Sequence, residues 1–405
     1  MCKYTRMAES FLILGSNPSI SFAEMFHASG ANPGLVSVFG PQAVIVDDEA
    51  SGQRAPLVLG GVPKSGVIVD EVLGLDASRI ASILKKHVRP DQKFHFGLSA
   101  YTISGSGINQ SKLKALGLEA KRLLKEQGAS VRLVESRSGN LSSVDVMKNK
   151  LVEKGVELCL FGIDGKFLVG RTQAVQPFEE YSERDYGRPG RDAKRGMLPP
   201  KLARIMINLS AAPEGSLILD PFCGSGTVLQ EALLLGYRAI GTDIDEDAIR
   251  DTKKNIEWLV REHEEELPEP KIEAMDVRKL DETVTESSVD AIVTEVDLGP
   301  PLQGGETEGK VRSVEKSLSE FYAEASGLMR YALKPGSRAV IAWPYFVERG
   351  IMISAFEKLG ELGFNVVEPY PAEFQKTYPL SKRGTLLYGR SGQHLFREIV
   401  ILEKQ

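Results

Sequence analysis

The chain has 405 residues, 42% of them hydrophobic and 26% charged, the proportions of a folded globular protein too long for one ordinary domain. Its net charge of −5 means that a polyanionic partner must be met by a local basic patch and not by the charge of the whole. No apolar run approaches a membrane span and the Met1 end lacks a basic stretch followed by an apolar core, so a cytoplasmic location is expected, while Cys2, Cys159 and Cys223 offer no spacing for a disulfide framework or a structural zinc.

In chain order, strand-like runs at Phe11–Leu14, Gln42–Val46, Val131–Val134, Glu157–Phe161 and Lys166–Gly170 interleave with two amphipathic helices, Ser78–His87 and Lys112–Gln127. This is an α+β pattern over residues 1–175, with room for two small modules. Residues 176–200, with Tyr181, Tyr186, Pro189, Gly190 and Pro199-Pro200, are expected to be a linker. The breakers keep it from continuing as a regular helix.

Residues 201–405 change character. Short apolar runs at Leu217–Leu219, Arg238–Thr242, Lys271–Ala274, Val289–Thr294, Arg338–Trp343, Asn365–Glu368 and Glu398–Leu402 alternate with helical patterns at Val228–Leu235, Glu246–Glu262, Val314–Ala332 and Ile351–Leu362. Alternation of this kind predicts an α/β, Rossmann-like domain with a seven-stranded sheet. Between the fourth and fifth strands, Gly299-Pro300-Pro301-Leu302-Gln303-Gly304-Gly305 is too rich in breakers to be regular. A loop at the carboxyl edge of a parallel sheet is where substrate binds.

The most telling stretch is DPFCGSGT, residues 220–227, between a buried strand and a helix. The N–H groups and positive dipole end of such a helix face whatever lies over the turn. A pyrophosphate loop requires GxGxxG spacing, but the third residue after Gly226 is Leu229. Asp220 closes the strand where it can hold a cation or an amine, and Asp243, ending the next strand, is placed to accept hydrogen bonds from a ribose diol. Together they describe a pocket for an amino-acid-bearing nucleoside, and the turn resembles the glycine loop of class I S-adenosylmethionine methyltransferases.

Several blocks extend that likeness over nearly the whole chain: FLILGSNPSISFAEMF near the start, LGGVPK at Leu59–Lys64, the basic helix after the turn at 104–107, YGRPGRDAKRGMLPPKLARIMINL at the joint, and DPFCGSGT. In combination they resemble the THUMP-containing tRNA guanine-N2 methyltransferase family of archaea and eukaryotes and its bacterial relatives. The resemblance implies a class I methyltransferase domain preceded by a ferredoxin-like and THUMP-like RNA-binding region, with S-adenosyl-L-methionine as cofactor and tRNA as partner. It also implies a cofactor site of Asp220, the backbone around Cys223, Gly224 and Gly226, Asp243 on the ribose, and Asp276 on the adenine amino group. Part of the joint should pack over the methionine end of the cofactor. The modified position, the number of methyl groups, the oligomeric state and any need for a small activating subunit are left open.

The substrate end departs from the pattern. Enzymes that methylate an exocyclic amine carry Asn/Asp-Pro-Pro-Tyr/Phe after the fourth strand, where side chain and carbonyl hold the amine and the ring stacks on the flipped base. Here the residues are Thr294-Glu295-Val296-Asp297-Leu298-Gly299-Pro300. Glu295 keeps an acid to hold an N–H, with Asp297 as its substitute. The lost platform forfeits about 1–3 kcal/mol of stacking per base. Of the aromatics after the fifth strand, Trp343 and Phe346 are expected in the core and Tyr345 is the candidate replacement.

Phosphate contact is expected at the joint, where Arg184, Arg188, Arg191, Lys194, Arg195, Lys201 and Arg204 crowd among Tyr181 and Tyr186. Arg188, Arg191 and Lys194 are the chosen RNA-binding residues. Lys112, Lys114, Lys121, Arg122 and Lys125 add a basic helix. Cys223 is expected to be a small packing residue, since cysteine nucleophiles of RNA methyltransferases attack pyrimidine carbons and this one lies inside the turn. Two alternatives to the enzyme stand beside it: a noncatalytic RNA-binding relative with a decayed fourth-strand motif, and a DNA amino-methyltransferase.

Overall fold

The computed structural model describes residues 9–28, 33–90, 92–105, 107–136, 139–191, 197–263, 267–300 and 304–405. The chain divides into two compact units, one comprising residues up to Pro18 with Asn32–Phe178, the other Ser19–Ala31 with Glu179–Gln405. The division at Phe178 corrects the expected one at residue 175. Of the segment expected as a linker, the described residues from Glu179 onward belong to the second unit.

In the first unit, β1 (Ser10–Ile13), β2 (Val36–Phe39), β3 (Ala43–Val46), β4 (Lys64–Val72), β5 (Phe94–Thr102), β6 (Val131–Val134), β7 (Val156–Ile163) and β8 (Lys166–Val175) form one sheet in the order β2-β3-β1-β4-β8-β7-β5-β6. The antiparallel pairing of β4 with β8 makes it continuous. Three strands, β2, β4 and β5, were not foreseen. In β4 the sequence opens Lys-Ser-Gly, and in β5 a histidine, a glycine and a serine blur the alternation. Lys64 nevertheless belongs inside: its Nζ donates to Glu157 Oε1 and to Leu141 O, both at 2.6 Å. Glu157 also accepts Ser99 Oγ and Thr172 Oγ1 at 2.6 Å each. An ion pair survives in a core only when its remaining polar atoms are satisfied in this way.

The helices in chain order are α1 (Pro18–His27), α2 (Ser51–Val58), α3 (Ala77–Lys85), α4 (Gln110–Glu126) and α5 (Ser143–Lys148). Side chains close their first turns: Asp76 caps α3, Asn109 caps α4, and Ser142 with Asp145 forms a capping box on α5. Helix α1 falls in the second unit from Ser19 onward, a correction to the 1–175 assignment. Its Phe22 stacks on Tyr378 at 4.3 Å and meets Phe374 at 4.9 Å. An aromatic face finds its partners in a segment more than three hundred residues away.

In the second unit α6 (Phe178–Ser182), α7 (Pro200–Leu209), α8 (Thr227–Leu234), α9 (Glu246–His263) and α10 (Glu308–Ala332) flank a sheet of β9 (Leu217–Asp220), β10 (Arg238–Asp243), β11 (Lys271–Ala274), β12 (Val289–Glu295), β13 (Leu333–Phe346), β14 (Ile351–Met352), β15 (Phe364–Val366), β16 (Leu386–Tyr388) and β17 (Leu395–Lys404). The main order is β11-β10-β9-β12-β13-β17-β15, with β14 on β13 and β16 on β17. β9 to β13 run parallel, and β17 is antiparallel to both of its main neighbours. This is the expected Rossmann-like sheet, its seven strands where the apolar runs stand, extended by two short ones. Their parallel pairing puts the carboxyl ends of β9, β10 and β12 on one edge. Trp343 stacks on Tyr322 of α10 at 5.9 Å in the core beneath.

The expected helix at Ile351–Leu362 is replaced by β14 and a short 3₁₀ turn, Ser354–Lys358. Its apolar spacing is helical, but Gly350 has φ 61° and Ile353 is extended. With Gly360 and Gly363 close behind, too few residues remain to outweigh helix nucleation. Among the described residues no helix is long and apolar enough to cross a membrane.

Candidate active site

β9 delivers Asp220 to the sheet edge, and the chain turns into α8 through Gly224 and Gly226, with φ of 53° and 81°. Gly226 has a second constraint, since a Cβ there would stand 2.8 Å from Thr252. Cys223 N donates to Thr242 O at 2.9 Å and Gly224 N to Asp243 Oδ2 at 2.9 Å, while Thr252 Oγ1 donates to Gly224 O at 2.6 Å. Burial pushes the Cys223 thiol well above its usual range, which suits a packing residue and not a thiolate nucleophile.

The joint folds onto this turn. Arg188 Nη1 donates to Thr227 Oγ1 at 2.7 Å, and Asn255 of α9 clamps both segments: its amide donates to Gly190 O and to Ser225 O at 2.8 Å each and accepts Gly190 N at 2.7 Å. Gly190 lies so close to α9 that a Cβ would meet Asp251 at 2.7 Å. Asn255 is wholly buried, so these bonds are strong constraints on the loop.

Between joint and turn lies a cavity of about 300 Å³, walled among others by Asp220, Phe222, Gly224, Arg191, Met197 and Glu295. Asp247 and Asp251 also line it, so that among the described residues Arg191 is the one basic side chain against four carboxyl groups. An acidic, partly apolar pocket of this size selects a small ligand bearing positive charge. Asp220 is 2% exposed, and its Oδ1 accepts Thr294 Oγ1 at 2.6 Å and Phe222 N at 3.1 Å. Burial, against the lowering by those bonds, pushes its carboxyl up to about 7, aided by Asp243 and Glu295.

Glu295 closes β12 at the cavity wall and is engaged by Arg397 of β17, whose Nε donates to Oε1 and Nη2 to Oε2 at 3.4 Å. Burial raises its carboxyl above the usual range and the Arg397 guanidinium opposes that rise. Asp297, the expected substitute, is exposed and outside the cavity lining; its Oδ1 accepts Gly299 N at 3.0 Å, and its carbonyl accepts the Tyr322 hydroxyl. Trp343 and Phe346 are core, as expected, while Tyr345 sits edge-on to Phe396 at 6.5 Å and does not line the cavity. The aromatic ring that does so is Phe222, edge-on to Phe321 at 5.9 Å.

Other expected residues lie apart. Asp243 is at the turn but not in the lining, its oxygens accepting Gly224 N and Asp245 N. Asp276 also stands outside it, its carboxylate bonded to the Arg278 backbone N–H and guanidinium. Those bonds hold its carboxyl below the usual range.

The RNA-binding assignment needs the larger correction. Arg188 is 2% exposed, wedged between Thr227 and Met197, and burial pulls its guanidinium down to about 10; it packs the joint and presents nothing to a phosphate. Arg184 and Arg204 are likewise internal, bonded through Nε to the buried Glu231 at 2.6 and 2.8 Å. Tyr181 is buried beneath them. Of the described joint residues Arg191 and Tyr186 are exposed, paired guanidinium over ring at 5.2 Å, while Lys201 is half-buried over the Tyr181 ring. Lys194 and Arg195 lie outside the described residues.

Three contributors had escaped sequence reasoning. Asn255 and Arg397 reach the site only through tertiary contacts and carry no local signal. Ile244 had one: an apolar residue between Asp243 and Asp245, it is 68% exposed beside the turn, a surface suited to a flat base.

Comparison with known proteins concerns the same region of the chain. Residues 188–346 match the UPF0020 family, described as an RMKL-like methyltransferase domain. The chain is 32% identical over 216 residues to a tRNA (guanine(10)-N2)-dimethyltransferase of Methanothermobacter thermautotrophicus, covering 53% of this chain and 56% of that protein. It is 28% identical over 247 residues to the protein of the same name in Methanocaldococcus jannaschii, covering 60% and 62%. The chain thus spans less than two thirds of the curated relatives it matches. Among solved structures, TrmN from Thermus thermophilus superposes with a TM-score of 0.54 at 16% identity over 98% of this chain and 100% of that one, a likeness of fold.

Proposed function

We propose that this chain is an S-adenosyl-L-methionine-dependent RNA methyltransferase acting on the exocyclic N2 amine of a guanine in tRNA. The observation that carries the reading is the acidic cavity beside the DPFCGSGT turn, with Asp220 and Glu295 both in its wall. The named relatives supply the substrate class, and the first unit is assigned the THUMP-like RNA-binding role.

The residues present fit the cofactor. The four acidic side chains suit a ligand carrying an ammonium and a sulfonium, and Gly224 has nothing within 4 Å of the place a Cβ would occupy, so the backbone is open to close approach. Asp220 would hold the ammonium, Asp243 the ribose diol, and Ile244 one face of the adenine. When bound, the cofactor supplies an electrophilic methyl group on sulfur. The chain's own work is to orient the amine, exclude water and accept a proton. Glu295 is better placed than Asp297 because it lines the cavity. Its Oε2, with the longer bond to Arg397, is the oxygen that receives the N–H and takes the proton that N2 sheds.

Asp220 makes this testable through protons. With its carboxyl at about 7, above its ordinary value, it contributes stability that is full at low pH and is lost as pH rises through 7. A bound ammonium reverses the preference, so binding S-adenosylhomocysteine at pH 6 should release close to one proton. Affinity should rise by up to about tenfold per pH unit below 7 and level off above it. Calorimetry in buffers of different ionisation enthalpy measures this, and a proton count of zero would remove Asp220 from the ammonium site.

Two observations favour the noncatalytic alternative: Glu295 is engaged by Arg397, and the residues directly after it, Val296 to Pro300, include no aromatic ring. Incubation with labelled cofactor and undermethylated tRNA, followed by digestion to nucleosides, separates the two. N2-methylated guanosine is expected; tRNA and cofactor binding without transfer would establish the alternative.

A further inference from the structure

We infer that Arg397 is the positioning residue of this site, reaching across β13 to fix the carboxylate of Glu295; the inference rests on the proposed amine-holding role of Glu295. Glu295 pairs with Ala342 of β13, Ala342 with Ile399 of β17, and Pro344 with Arg397. Side chains two residues apart in a strand share a face, so Glu295, Ala342, Pro344 and Arg397 lie on one face of the sheet. The two residues between the charges are short and lack polar side-chain atoms. Only because β13 is low there can a guanidinium from β17 cross it to reach β12. Both charged side chains are 14% exposed, which strengthens their coupling and leaves little water to replace it.

This clamp stands where the fourth-strand motif has lost its prolines. Consecutive prolines would fix the backbone that presents the amine-holding side chain. With Val296 and Asp297 in their place, Glu295 keeps a long, rotatable side chain, and the two-point contact from Arg397 restricts it instead. Among the described residues Asp220 from β9 and Tyr322 from α10 also face it, and Arg191 lines the same cavity. Arg397 is the cation bonded to it, so without Arg397 the carboxylate would lose its paired charge in a buried setting beside Asp220 and bind a proton more readily.

The test uses the full chain with Arg397→Met and Arg397→Lys. Single-turnover transfer to undermethylated tRNA is followed across the acid limb of its pH profile, and carbon-13 NMR titration of labelled glutamate, assigned with Glu295→Gln, reports the carboxyl directly. Arg397→Met should slow transfer by about 10²-fold with unchanged S-adenosylhomocysteine affinity. The acid limb and the Glu295 midpoint should both move up by about one pH unit or more. Arg397→Lys should recover part of the rate, and in a Glu295→Gln background Arg397→Met should cost little more. A parental rate in Arg397→Met, or a slower rate with limb and midpoint unmoved, overturns the inference alone. A parent that transfers no methyl group to any RNA overturns the proposed function and this inference with it.

Discussion

Glu295→Ala should slow single-turnover methyl transfer by about 10²–10³-fold, the scale of losing one preorganised group at the reacting centre, while S-adenosylhomocysteine binds as before. The group removed is the carboxylate at the end of β12 that lines the cavity with Asp220. Asp297→Ala is the control. Among the described residues its side chain holds only the Gly299 N–H, at the surface, and its contact with Tyr322 runs through a backbone carbonyl that alanine retains. A small effect is therefore expected from Asp297→Ala. If instead Asp297→Ala were the damaging change and Glu295→Ala the mild one, the amine would be held from the loop and the assignment of Glu295 would be wrong.

The largest effect on stability is expected at Glu231, far from any reacting atom. Its fully buried carboxylate on α8 is shared by Arg184 and Arg204, side chains 3% and 8% exposed. These arginines, with Lys201, lie over the buried ring of Tyr181. Removing the acid leaves guanidinium groups buried without their shared anion, which costs about 3–5 kcal/mol when a buried pair is broken. Both tryptophans, Trp258 and Trp343, belong to this unit, so the urea midpoint of tryptophan fluorescence reports it without interference from the other. Glu231→Ala should lower that midpoint strongly, and Glu231→Gln, which keeps an acceptor without the charge, should fall between. A midpoint equal to the parent's would mean that the arginines find other anions and that the cluster is not what ties the joint to α7 and α8.

The sheet of the second unit was legible because buried parallel strands read as short continuous apolar runs, and the glycine turn because it joins a strand to a helix by a stereotyped conformation. Asp220 and Glu295 followed from their places at strand ends. Partnership was not legible. The run of basic residues in the joint looks like a surface patch, since charge is visible in a sequence while the burial of the acid that receives it, Glu231 in a mostly apolar helix, is not. Arg397 lies 102 residues from Glu295, and only the register of three strands brings them together. Asn255 is 65 residues from Gly190 and looks like any polar residue of an amphipathic helix. For the same reason nothing local to α1 assigns it to the unit it completes.

The central claim is that the cavity presents a guanine N2 amine for methylation, and inosine tests it because it differs from guanosine by lacking that amine. Undermethylated tRNA transcripts made with guanosine, and the same transcripts with inosine at the site that accepts methyl, are compared in single turnover with labelled cofactor. The account predicts N2-methylated guanosine from the first and no transfer to the second, with both transcripts binding. Undiminished transfer to the inosine transcript, or label recovered on any atom other than N2, would contradict it.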